Sequence, residues 1–127
     1  MHWFPVLILR LAALGFLGFG LWLLVAPLSA LGPLGVEATG PAAVTELRAF
    51  YGGLELGLAA WLLAASFRPA WIAPALWAGF AVNLGIGLAR LVGVLVDGAF
   101  VPFFAGALAW EFGFAVLALV ALRKKTA

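Results

Sequence analysis

The sequence has no cysteine and one histidine, His2, beside the initiator. Without thiols there is no disulfide, no Cys-ligated iron–sulfur cluster and no thiol relay, which excludes quinone-linked disulfide oxidoreductases. One terminal histidine cannot supply a bis-histidine haem within the chain, and it argues against a histidine-rich metal site. No metal and no cofactor are expected, and His2 reads as a solvated terminal residue. Charge is scarce as well. Asp, Glu, Lys and Arg make up 9% of the residues, against about 25% in soluble domains. No basic stripe with interleaved aromatics is present, so nucleic acid is not an expected partner. The net charge of +2 owes much to Arg123-Lys124-Lys125, and three basic residues after an apolar helix read as a cytoplasmic stop. The first apolar run also lacks a basic region before it, and Leu28-Ser29-Ala30 is a poor cleavage site. It reads as a retained helix, not a signal peptide.

What the sequence has is apolar length. Its 127 residues are 67% hydrophobic, with a mean hydropathy of +1.22, enough for one domain. Helices are expected over about residues 4–26, 41–67, 70–96 and 101–122, each with about the 20 residues a bilayer crossing needs. Proline and glycine mark the breaks. Residues 27–40 hold Pro27, Gly32, Pro33, Gly35 and Gly40, which rules out one continuous helix and suggests a re-entrant turn or an interfacial strip. Gly40-Pro41 is a helix start, Arg68-Pro69 a very short link between antiparallel neighbours, Asp97-Gly98 a turn, and Pro102 a fourth start. Arg68, Arg123, Lys124 and Lys125 fall on one side; Glu37, Glu46, Arg48 and Asp97 fall on the other. The positive-inside rule then places both termini in the cytoplasm. The expected fold is all-α: an integral membrane up-down four-helix bundle in a single transmembrane domain, residues 1–127, in the bacterial inner membrane. Trp61, Trp77 and Trp110, away from the helix ends, read as ordinary packing residues or, as the second choice, as a ligand wall.

Four charges lie inside the apolar stretches: Arg10, Glu55, Arg90 and Glu111. Left unpaired, four charges near the bilayer centre would cost on the order of 12 kcal/mol. In the third helix Gly79, Asn83, Gly87, Arg90 and Asp97 recur on one face, and in the second Arg48, Tyr51, Gly52 and Glu55 do the same. At 1.5 Å per residue Glu55 and Arg90 each lie about 10 Å from the outer edge, Glu111 about 15 Å. Glu55 and Arg90 are therefore the expected pair, with Glu111 able to take a second edge of the guanidinium. Arg10 would reach Glu111 or snorkel to the headgroups. Arg48, Tyr51, Glu55, Asn83, Arg90 and Glu111 form the expected polar centre. Gly52, Gly53 and Gly57 form a small-residue surface, with a small-xxx-small pair at Gly53 and Gly57, and are expected to allow close helix contact within the chain, or else in a homodimer.

Residues 45–57, Thr-Glu-Leu-Arg-Ala-Phe-Tyr-Gly-Gly-Leu-Glu-Leu-Gly, resemble the N-E-L-R-A-x-Y-G-G signature of a bacterial four-helix membrane family catalogued as domain of unknown function 4345. This chain has Thr45 in place of the first Asn. The likeness extends to the Pro-led outer loop, the stretch Gly85 to Arg90, the Asp-Gly turn and the fourth-helix glutamate. It implies a four-helix membrane protein, singles out Glu46, Arg48, Tyr51, Gly52 and Gly53, and implies no activity.

Three functions fit this pattern. In the first, buried charges specify the bundle of a small membrane protein, alone or as an accessory subunit of a larger complex. In the second, Glu55 or Glu111 is a general acid acting on a lipid-soluble isoprenoid, sterol-like molecule or quinone, with Tyr51 or Asn83 polarising an oxygen. In the third, the chain is a small proton-coupled transporter, although its first helix carries Arg10 where small four-helix exporters place a glutamate.

Overall fold

The computed structural model describes residues 3–126, and among them the chain forms helices and turns with no strand. His2 lies outside the described residues. Helix α1 is Trp3–Val25. A short α2, Pro27–Leu31, and a 3-10 turn, Gly32–Leu34, follow. The chain then bends at Gly35, whose φ of 87° suits glycine alone among common residues. Helix α3, Pro41–Leu47, starts from an extended Gly40 with Pro41 in the first turn, where its missing N–H costs nothing. It continues without a break into a π-helical segment, Arg48–Gly53, and then into α4, Leu54–Ala65. Residues 41–65 are thus one helical run, and within it the Leu54 N–H reaches back five residues to the Ala49 carbonyl.

Arg68 is extended, and Pro69 opens α5, Pro69–Asp97, which ends at a left-handed Gly98 with φ 65°. Helix α6 is Pro102–Thr126. It runs past the expected end near residue 122, so Arg123 and Lys124 sit in its last turns, where cations oppose the negative end of the helix dipole. Three helical segments, Trp3–Val25, Pro69–Asp97 and Pro102–Lys124, are long and apolar enough to cross a membrane.

The chain divides into two compact units: the start of α1 together with everything from Ala65 onward, and Leu11–Ala64. In the first unit α5 and α6 pack against each other as an antiparallel pair joined by residues 98–101. The buried face of α5 is Ile72, Ala75, Leu76, Gly79, Asn83 and Gly87, spaced by three and four as one side of a helix requires. On α6 the buried residues Glu111, Phe114, Ala115, Ala118 and Ala121 follow the same spacing. At one end of this unit three chain ends converge. Lys124 Nζ lies 4.7 Å from the Phe4 ring. Arg10 Nε donates to Ser66 Oγ at 3.3 Å, and its guanidinium lies 4.8 Å from the Phe67 ring. Arg68 sits over Trp71 at 4.2 Å.

In the second unit the C-terminal half of α1 and the π–α4 run approach closely through reciprocal glycines. A Cβ on Gly20 would lie 3.1 Å from Leu56, and one on Gly52 would lie 2.7 Å from the Leu24 backbone nitrogen. Each helix offers a glycine to the other's leucine, four residues apart on both. Of the expected small-residue surface Gly52 makes the contact, and the contact within the chain expected through Gly53 and Gly57 is corrected here. Both are exposed; a Cβ on Gly57 would meet nothing within 4 Å, and one on Gly53 only its own Arg48 carbonyl at 3.8 Å. The tryptophans pack, as expected, but from the outside. Trp61, Trp77 and Trp110 are 37%, 54% and 48% exposed, and Trp77 and Trp110 touch Phe80 and Phe114 of their own helices. They lie on the outer surface of an apolar protein, not in its core.

Candidate functional site

Arg90 on α5 and Glu111 on α6 form the site with the most developed geometry. Arg90 Nε donates to both carboxylate oxygens, at 3.0 and 3.2 Å, and Nη2 donates to Oε1 at 2.7 Å. This is a side-on, charge-assisted contact that fixes angle as well as distance. The Glu111 side chain is 7% exposed and that of Arg90 23%. Two rings from the first turn of α6, Phe103 and Phe104, lie 5.9 and 5.4 Å from the guanidinium carbon, within cation–π range. Gly87, one turn before Arg90, makes room for the pair. A Cβ there would lie 3.2 Å from Glu111 Cβ and 3.3 Å from the Phe112 ring.

Glu55 was the first partner expected for Arg90, with Glu111 able to take a second edge of its guanidinium; the ion pair found within the first unit is Arg90 with Glu111. The reason is reach. Depth along the helix compares backbone positions, whereas a guanidinium stands several bonds from its Cα and spans the few ångströms separating the two levels. Glu55 is part-buried, and its Oε2 is buried without a hydrogen-bond partner. Arg10, expected to reach Glu111 or the headgroups, donates to Ser66 Oγ, an end-of-helix position compatible with the headgroup alternative.

Arg48 does something the sequence did not suggest. Its Nη1 donates to the Leu24 carbonyl and, at 2.9 Å, to the Val25 carbonyl. These belong to the last turn of α1, whose carbonyls have no partner within the helix. Arg48 is therefore a cation capping a helix C-terminus, favoured by both hydrogen bonding and the dipole. Gly52, one π turn later, lets the backbone touch the same Leu24. The stretch Arg48-Ala49-Phe50-Tyr51-Gly52 is thus a clamp on the end of α1. Arg48→Gln should cost about 1–2 kcal/mol, read as a lower melting temperature in detergent, while Arg48→Lys should recover part of it.

The other expected members are dispersed. Asn83 is 2% exposed and gives its amide to the Gly79 carbonyl of its own helix at 2.8 Å, a back-bond that hides polarity. Tyr51 is 48% exposed and Asp97 is exposed. Arg48, Tyr51, Gly52 and Glu55 share a face only by α-helical counting, and the π segment inserted among them breaks that count. Among the described residues no group of three or more His, Cys, Asp or Glu could hold a metal ion.

The family model for a domain of unknown function, DUF4345, matches residues 6–122. The chain belongs to the DUF4345 family. No curated protein and no solved structure matches it. The matched span takes in both features with clear geometry, the Arg90–Glu111 pair and the Arg48–Gly52 clamp. In this DUF4345 chain each of them joins two segments distant in sequence. Gly87, Gly20, Phe103 and Phe104 were not assigned these roles from sequence. The usable signals were a glycine one turn from a buried arginine and a glycine four residues before a leucine near a helix end.

Proposed function

We propose that this chain is a small multi-pass protein of the bacterial inner membrane, crossing four times as an up-down bundle with both termini cytoplasmic, and that its buried charges serve architecture. It acts alone or as an accessory helical subunit of a larger membrane complex. The observation that carries this reading is the Arg90–Glu111 pair, in which a single guanidinium engages both carboxylate oxygens. A carboxylate so engaged is an ion-pair partner, and the best-attested use of such a pair is to fix the register of packed helices. Four crossings are supported by the three long apolar helices together with the unbroken helical run from Pro41 to Ala65. The orientation is supported by the gathering of Arg10, Arg68 and Lys124, each beside an aromatic ring, at one end of the first unit. Basic residues and aromatics of this kind suit a cytoplasmic interface.

The test is resistance to alkaline carbonate extraction followed by thiol labelling of single-cysteine variants, which the cysteine-free parent makes simple. Glu37→Cys should react with an impermeant maleimide in intact spheroplasts, and Thr126→Cys only after lysis. Reaction of Thr126→Cys in intact spheroplasts would reverse the orientation, and release of the protein by carbonate would end the membrane reading.

A further inference from the structure

Of the four charges inside the apolar stretches, Glu55 is the one that the architecture described above does not use. Its Oε2 is the single buried side-chain oxygen or nitrogen among the described residues without a hydrogen-bond partner. Its unit, Leu11–Ala64, contains four other titratable or charged groups: Glu37, Glu46, Arg48 and Tyr51. Glu37, Glu46 and Tyr51 are exposed. Arg48, the only cation of the unit, is already bonded to the carbonyls of Leu24 and Val25. Close contacts flank the glutamate in sequence, Gly52 against Leu24 on one side and Leu56 against Gly20 on the other. The carboxyl is thus pinned on a tightly packed helix pair, with one oxygen sealed and the residue as a whole only part-buried.

A carboxylate in that position would need hydrogen-bond donors or a cation, and acyl chains supply neither. The polar atoms a bilayer does supply near its hydrocarbon are carbonyl oxygens, which accept and never donate. The form of glutamate that complements them is the acid, whose O–H donates. We propose that Glu55 is a ligand site in its own right: a carboxyl that keeps its proton and donates it in a hydrogen bond to a carbonyl oxygen presented from the lipid phase. The carbonyl comes from a phospholipid ester or from a free lipid-soluble ketone or quinone. This inference rests on the membrane reading above.

Dicyclohexylcarbodiimide tests it, because this apolar reagent adds to protonated carboxyls. The acid proton passes to a carbodiimide nitrogen, and the carboxyl oxygen bonds to the central carbon. The O-acylisourea then rearranges to a stable N-acylurea with nothing lost. Protein recovered in the carbonate-resistant membrane fraction is used, so failure of the membrane reading shows before any labelling begins. Peptide mass spectrometry should place the adduct on Glu55 and not on Glu111, and Glu55→Gln should abolish it. Labelling is then compared in ether-linked phosphatidylcholine vesicles, in ester-linked ones, and in ether-linked ones with added menadione. Labelling about fivefold slower in ester vesicles assigns the ligand to lipid esters, and the same slowing only with menadione assigns it to a free carbonyl compound. An equal rate in all three overturns the ligand. Absence of the Glu55 adduct, with the protein folded and membrane-bound, overturns the site.

Discussion

Arg90→Gln and Glu111→Gln are each expected to lower stability in detergent by roughly 3–5 kcal/mol, and the double substitution by clearly less than the sum. Each single change leaves the opposite charge with its hydrogen bonds broken, and Glu111, 7% exposed, has almost no route to solvent. Removing both leaves two amides, which can bond to each other at little cost. Reversible unfolding in mixed micelles, followed by helix content, would give the four corners of the cycle. Additive losses would mean that the contact at 2.7 Å contributes no coupling energy, and the architectural reading of the pair would fall with it. Exchanging the residues, Arg90→Glu with Glu111→Arg, should recover only part of the loss. The Phe103 and Phe104 rings stand by position 90, and they favour a cation there.

Gly52→Ala should be strongly damaging for a single added methyl, at about 3 kcal/mol or more. Its new Cβ would lie 2.7 and 2.8 Å from the backbone nitrogen and Cα of Leu24, and backbone cannot swing aside as a side-chain tip does. The displaced turn is also the one that Arg48 caps, so part of that capping is lost too. Gly57→Ala is the matched control, since nothing lies within 4 Å of its added carbon and alanine favours helix over glycine by about 1 kcal/mol. The two variants should move the melting temperature in opposite directions. If Gly52→Ala melts with the parent, the close approach of the π segment to α1 is wrong.

The parts of the fold that were legible in the sequence are those written in backbone chemistry. Pro41, Pro69 and Pro102 each open a helix, and Gly98 ends one in the left-handed region, because these residues have few other options. The buried face of α5 was legible at Gly79, Asn83 and Gly87 through spacing alone. The π segment was not, since residues on either side of it keep ordinary helical angles and no residue type demands the wider turn. Missing it grouped Tyr51 with Glu55 by plain α-helical counting and gave the close contact to Gly53 and Gly57 as well as to Gly52. The partner of Arg90 was misjudged for a different reason. Backbone depth is a one-dimensional measure, and the close approach made by Gly87 beside Glu111 is a property of two helices that neither sequence segment carries by itself.

The four-residue turn between Asp97 and Pro102 bears on how the chain is made. On the membrane reading, helices α5 and α6 are joined closely enough to enter a bilayer together as one hairpin. Inserted alone, each would carry an unpaired charge into the hydrocarbon, at a cost of up to about 2.5–3.5 kcal/mol. As a hairpin they can bring Arg90 against Glu111 before either reaches the hydrocarbon, and the object that partitions is a neutral pair in an apolar sleeve. The shortness of that turn is therefore a condition for biogenesis: lengthening it would separate two charges at the moment when they most need each other.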